Sequence, residues 1–267
     1  MPHDAGLMVE GRPLRGRNGR VQRAQARRGH SHLTDRQAMH LRHEVRLALA
    51  SHWTAQGELE HSSVVAYQDL ARRLALLDAP DELVRRSLSA AVQEADHWTR
   101  CFELAGRYLG QSLRPGRLRR PLRLPRSRTA ELTSLAVESL RDGMLLEGYA
   151  SAMAAARADR ASDGRVVETL RVIAADEIHH VALSADVLAW CVREGGSAVA
   201  QLVEAAAADL PDHPPVLVAP VGLDAPSLAE HGLFDSDPTH EVWRALAQTV
   251  RAQVLDLLAV PARQAAA

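Results

Sequence analysis

Lysine is missing altogether, so all 32 basic residues of this 267-residue chain are arginine. Chemistry that rests on a lysine amine is thereby excluded, including Schiff-base and pyridoxal-phosphate catalysis and the P-loop lysine. Cysteine is almost as scarce. Cys101 and Cys191 stand alone, too few for a four-cysteine zinc site, an all-cysteine iron–sulfur cluster or a disulfide framework. A reduced, cytoplasmic protein is the simplest expectation. No run approaches the ~18 uncharged apolar residues of a membrane span, and no membrane partner is expected. The N-terminal segment also lacks the apolar stretch of a secretory signal, since polar His30-Ser31-His32 follows Arg27-Arg28. Strand-like alternation is absent apart from a trace at 216–221.

What the chain does have is apolar content, 46% of its residues, enough for a buried core. Its net charge of −1 hides an uneven distribution. Ten arginines fall within residues 1–50, and the stretch Arg114 to Arg128 holds seven with no acid between them. Such segments attract a phosphate-bearing partner, nucleic acid or an acidic carrier protein, or simply stay solvated.

Residues 1–33 lack periodicity and read as a flexible Arg-rich tail. Residues 34–195 read as one helical unit. A short helix capped at Thr34 or Asp35 leads to about residue 50, and four longer ones follow. The first spans about 51–77, and the second follows the acidic, Pro-containing start at 78–81 and ends before Gly110. After a Pro- and Arg-rich connection at 110–128, the third spans about 129–161. Asp163 caps the fourth, which Gly195-Gly196 ends. Two helical pairs joined by one long crossover predict an all-α fold, a ferritin-like four-helix bundle with extra N- and C-terminal helices. Residues 196–267 form a C-terminal extension with helices near 197–210 and 239–259, and the irregular stretch 211–238 between them is long enough for a lid.

Glu-x-x-His, which puts both side chains on one helix face, occurs at Glu94/His97, Glu177/His180 and Glu58/His61. Chance supplies about one such spacing in a chain with 16 Glu and 13 His, so the setting decides. Glu94 and His97 share a stripe with Ala90, Ala91, Cys101, Leu104 and Tyr108. Glu177 and His180 share one with Leu170, Ile173, Ala174 and Leu188. Glu58 lines up instead with Ser51, Thr54, Ser62 and Asp69, which marks the third match as a surface coincidence.

A carboxylate on an apolar stripe is costly unless it meets a cation. The other two long helices break their stripes in the same way, Glu60 among Trp53, Val64, Tyr67 and Leu74, and Glu147 among Leu140, Met144, Ala150 and Ala154. A lone Glu followed by Glu-x-x-His thus occurs twice. Four carboxylates and two imidazoles form the ligand set of a di-iron or di-manganese centre, and their four charges neutralise two divalent ions. Asp176 is placed to accept the free N–H of His97, and Gln93 is its pseudo-symmetric counterpart at His180. Tyr67 lies within hydrogen-bonding reach of the site. Cys101, Met144 and Ser184 are candidates to line a cavity beside it.

Across about residues 51–195 the chain resembles the ferritin-like di-iron carboxylate superfamily. The strings that carry the likeness are Glu60-His-Ser-Ser-Val, Gln93-Glu-Ala-Asp-His97, Leu146-Glu147-Gly and Asp176-Glu-Ile-His-His180. The resemblance implies that Glu60, Glu94, His97, Glu147, Glu177 and His180 are metal ligands for two iron ions, with manganese or a mixed pair as alternatives. It departs from storage ferritins in carrying His in both halves and about 70 further residues. It departs from rubrerythrin-type peroxidases in lacking paired cysteines. An oxygen-activating oxidase or oxygenase is the expected activity, acting by hydroxylation, desaturation or N-oxygenation on a small organic or carrier-bound substrate. No flavin, nicotinamide or iron–sulfur signature is present, so an external electron donor is expected. A ferroxidase or peroxide scavenger is the first alternative. A nucleic-acid or carrier-binding module acting through Arg114–Arg128, including a tRNA-hydroxylase-like enzyme, is the second. The oligomeric state, a homodimer included, stays open.

Overall fold

The computed structural model describes all residues except 1–10, 17–18, 34, 36–37, 39, 119–125, 215–223, 234–238 and 266–267. The described residues are predominantly helical, with one small two-stranded sheet. Helix α1 (His43–Leu76) and helix α2 (Asp81–Leu109) are joined by a tight turn and form the first pair. Asp81 and Glu82 set negative charge at the N-terminus of α2, where the helix dipole favours it, and left-handed Gly110 ends the helix. Helix α3 (Arg128–Glu138), capped by the Ser127 hydroxyl, runs without a break into a π-helical segment (Ser139–Leu146) and then helix α4 (Glu147–Arg160). The Asp163 carboxylate caps helix α5 (Gly164–Ala208), accepting from the Arg165 and Val166 N–H groups. Gly196 breaks α5 internally with φ 58° and ψ −149°, so the run after it is the separate helix expected near 197–210. Two further helices are α6 (Ala225–Glu230) and α7 (Thr239–Ala265).

The buried apolar side chains form two clusters. One contains Tyr67, Leu74, Leu83, Ala91, Leu135, Leu140, Met144, Leu183 and Leu188. The other contains Leu49, Trp53, Cys101, Leu104, Tyr108, Ala154, Leu170 and Ala174. Along α1 and α5 the chain passes from the second cluster to the first, and along α2 and the α3–α4 run it passes the other way. Each helix therefore crosses the boundary between clusters once, within two turns of Glu60, Glu94, Glu147 or Glu177. Residues 110–127 accordingly return the chain from one end of the helices to the other.

One expectation needs correction. Residues 11–33, read as a flexible tail, are packed where described. Leu14 is 1% and Arg12 3% exposed, and strand β1 (Arg27–His32) pairs antiparallel with strand β2 (Gln111–Arg114). The segment shows no periodicity because backbone pairing and a few anchors hold it, not an apolar face. The C-terminal extension packs onto the core. Trp243, Val250 and Val254 of α7 belong to the first cluster, and the Trp243 ring meets Tyr149 edge-on at 5.2 Å. The strand trace at 216–221 and much of the expected lid at 211–238 lie outside the described residues.

Candidate metal centre

Glu60, Glu94, His97, Glu147, Glu177 and His180 converge at the boundary between the two apolar clusters, all buried. Their donor atoms fall into two overlapping sets. Glu60, Glu94, His97 and Glu177 form one, and Glu94, Glu147, Glu177 and His180 the other, with the atoms of each set within 4.8 Å of one another. Glu94 and Glu177 belong to both. Each set thus has one carboxylate and one imidazole of its own and two shared carboxylates, the arrangement that lets Glu94 and Glu177 bridge a pair of ions.

Both imidazoles turn Nδ1 inward. His97 Nδ1 lies 3.8 Å from Glu60, 3.7 Å from Glu94 and 3.8 Å from Glu177. His180 Nδ1 lies 3.4 Å from Glu94, 3.9 Å from Glu147 and 3.0 Å from Glu177. An outer belt fixes this orientation. His97 Nε2 donates to Asp176 Oδ2 at 3.0 Å, Gln93 Nε2 donates to Asp176 Oδ1 at 2.7 Å, and His180 Nε2 donates to Gln93 Oε1 at 3.1 Å. With each Nε2 carrying its proton outward, the Nδ1 lone pair is left for a cation. Asp176 and Gln93 thus sit where the sequence places them. Tyr67 donates to Glu147 Oε1 at 2.9 Å and holds the second oxygen of that carboxylate toward the centre.

The same pocket concentrates unmet polar capacity. Both Glu94 oxygens, Glu147 Oε2, Glu177 Oε1 and His97 Nδ1 are buried without a hydrogen-bond partner. Orphaned buried acceptors are costly and rare in folded proteins. Here they are carboxylate oxygens and an imidazole nitrogen facing one point, a donor set suited to borderline divalent metals. Burial first, then the neighbouring charge of Glu60 or Glu147, pushes Glu94 and Glu177 well above the usual carboxylate range. Burial also opposes charge on Glu147, but the adjacent Glu177 and His180 and the Tyr67 hydroxyl hold it below that range. For His97, desolvation works against charge, but the bond to Asp176 and the neighbouring carboxylates of Glu60 and Glu94 outweigh it and raise its pKa well above the ordinary value. A divalent pair would replace bound protons with better-matched charge.

The remaining candidates divide. Ser184 lies beside the site, where its Oγ accepts from Arg12 Nη1 at 3.4 Å. Cys101 packs in the second apolar cluster and Met144 in the first. None of the three borders the cleft over the π segment formed by Arg15, Asp142, Leu145, Leu146, Pro211 and Trp243. Glu58 lies apart from the centre and accepts the Ala26 backbone N–H at 2.7 Å. In the basic connection, Arg128 pairs with Glu194 and Arg126 donates to Ser134, while residues 119–125 lie outside the described part.

Sequence reasoning missed two features. One is the π-helical segment immediately before Glu147, a geometry that recurs at functional sites because its extra residue per turn shifts side-chain direction. The other is the strap 11–16, which reaches the site from outside the long helices. A Cβ on Gly11 would lie 3.6 Å from Ser63 Oγ and 3.8 Å from Glu147 Oε2. Arg15 binds Asp142 of the π segment through two hydrogen bonds of 2.9 and 2.6 Å. Neither feature has a periodic signature.

In comparisons with known protein families, curated proteins and solved structures, the chain matches none.

Proposed function

We propose that this chain is a di-metal oxidase or oxygenase of ferritin-like architecture, with iron as the working metal and manganese as the alternative. The single observation that carries the reading is the pair of overlapping donor sets sharing Glu94 and Glu177. Support for the architecture comes from the opposed directions of α1 and α2, the same opposition between the α3–α4 run and α5, and the long return at 110–127. A diferrous pair in this ligand set supplies electrons to dioxygen and an oxidising equivalent to an organic substrate. The protein's own contributions are separate from that chemistry. Glu60 and His97 complete one position and Glu147 and His180 the other. Asp176 and Gln93 fix the imidazole tautomers, and Tyr67 fixes the rotamer of Glu147. The two apolar clusters on either side keep bulk water from the centre.

Anaerobic reconstitution with ferrous iron, a metal count and an optical spectrum after oxygen test the proposal. Two metals per chain and an oxygen-dependent absorbance change are expected, with both lost in Glu94→Ala. A chain that folds, takes up no iron or manganese and shows no spectral change contradicts it. Turnover of ferrous iron or peroxide without any organic substrate would assign the centre to ferroxidase or scavenging chemistry instead.

A second reading adds to the first and rests on the sheet. Pairing Arg27 with Arg114 joins the two basic segments into one ribbon, on which Arg27, Arg28, Arg114 and Arg117 are exposed. Among the described residues none of these four makes an ion pair. Such a ribbon would dock a phosphate-bearing substrate or partner. Binding of a single-stranded RNA probe that weakens with salt and is lost in Arg27→Glu/Arg114→Glu is expected. Salt-independent binding, or none, removes this reading and leaves the metal centre untouched.

A further inference from the structure

Three deeply buried arginine side chains are supported very differently. Arg73 ion-pairs with Glu131 and Glu138, and Arg107 with Asp35 and Asp163. Arg12 is as buried as Arg73, at 3% exposure, yet makes no ion pair among the described residues. Its polar contact is the 3.4 Å hydrogen bond to Ser184, and its guanidinium sits 5.5 Å from the Tyr67 ring centroid. A buried cation without a counter-ion is strongly unfavourable. The fold nevertheless builds a place for it. Arg12 Nη1 lies 3.1 Å from where a Cβ on Gly143 would be, and that Cβ would meet Ser184 Oγ at 2.0 Å, so the glycine in the π segment lets Ser184 and the guanidinium come together. Gly11, with φ +81°, supplies the left-handed turn that delivers it.

Location explains the missing partner. The belt of Asp176 and Gln93 occupies the α2 and α5 side of the metal centre. Gly11 and Arg12 lie on the other side, near Ser63 and Tyr67 of α1 and Glu147 of α4. Two divalent ions would neutralise the four glutamates of the centre, and Asp176 is engaged by His97 and Gln93 on the opposite side, so Arg12 keeps no counter-ion of its own among the described residues. A carboxylate carries one negative charge and matches the guanidinium edge with two parallel hydrogen bonds. A phosphomonoester dianion would remain half uncompensated here.

From this we infer that Arg12, with Ser184, is the head-group site for the carboxylate of a small organic-acid substrate, held against the α1 and α4 side of the centre. The inference rests on the di-metal reading and deepens it by naming the substrate class.

Calorimetric titration of the manganese-loaded protein with butyrate, butyramide and inorganic phosphate, each at fixed ionic strength, tests it. Butyrate is expected to bind at least tenfold more tightly than butyramide or phosphate, and only after metal loading. Arg12→Gln should keep two metals per chain and lose at least tenfold in butyrate affinity, while Arg12→Lys, which retains the charge, should fall between. Equal butyrate affinity in wild type and Arg12→Gln would assign the anion to the metals and overturn the inference, as would absence of butyrate binding to a two-metal protein. Tighter phosphate than butyrate binding would overturn the substrate class. A chain that takes up no metal fails at the earlier step, and the inference falls with its premise.

Discussion

Glu94 and Glu177 differ from Glu60 and Glu147 in one respect that mutation resolves, since the first two serve both donor sets and the others one each. Alanine at Glu94 or Glu177 should abolish both metal positions, whereas Glu60→Ala should retain about one equivalent, read by elemental analysis after dialysis. Equal stoichiometry for all of these variants would contradict the bridging geometry. Asp176→Asn removes the acceptor that orients His97, and outer partners of this kind are worth about 10–100-fold in metal affinity. Competition against a chelator of known affinity measures that loss. The six residues of the buried cluster could be read from the sequence, because each interrupts an apolar stripe at helical spacing and burial makes the interruption costly. Arg12 could not, since nothing near it repeats and its position depends on Gly143 and Ser184, far along the chain.

The π segment and the α5 cap illustrate two kinds of element. Asp163 announces α5 in the sequence through ordinary capping chemistry, and the structure gives it a second task. It receives two hydrogen bonds of 3.0 Å from Arg107, whose third is directed to Asp35 at 2.7 Å. Although burial works against both charges, the bonds to Arg107 and to backbone N–H groups hold Asp163 and Asp35 below the ordinary aspartate value of 3.8. The sign follows from proton binding. The unfolded chain takes up these protons first, so the stabilisation is present above pH 3.8 and is lost as pH falls through the lowered folded-state values. Asp163→Asn should cost on the order of 3 kcal/mol near neutrality and flatten the acid limb of stability, measured by urea unfolding between pH 5 and pH 2. The π segment gave no such signal, because α-helical spacing of Leu140, Met144, Glu147 and Ala150 already suggests one continuous face. Its tight side is Gly143, where an added Cβ would sit 2.0 Å from Ser184 Oγ. Gly143→Ala should therefore lower stability by about 1–3 kcal/mol and reduce metal occupancy together with it. An unchanged unfolding midpoint in that variant would show that α5 can move aside.

At the level of the whole molecule, the buried cluster of glutamates and histidines lies at the boundary between two apolar clusters. Cation binding should therefore report on global stability. If the unfolded chain has no such site, metal at 100 times its dissociation constant contributes about 2.7 kcal/mol, or roughly 5–10 °C in melting temperature for a chain of this size. Identical melting curves with and without metal would mean that the acids are satisfied some other way. The long helices were legible in the sequence from their apolar periodicity and caps. The strap, the sheet and the return of α7 onto the first cluster were not, because each is set by contacts between distant segments.

The hydrogen bond between Arg12 and Ser184 spans 172 positions of sequence, and between them lie all six metal ligands. A ribosome makes the wall of the site first and its last ligand much later. Under the proposed function, ions would not be held in full until α5 has emerged and docked, so metal loading would belong to the period after most of the polypeptide has been synthesised. The early strap must wait, unanchored, for the helices that will receive it.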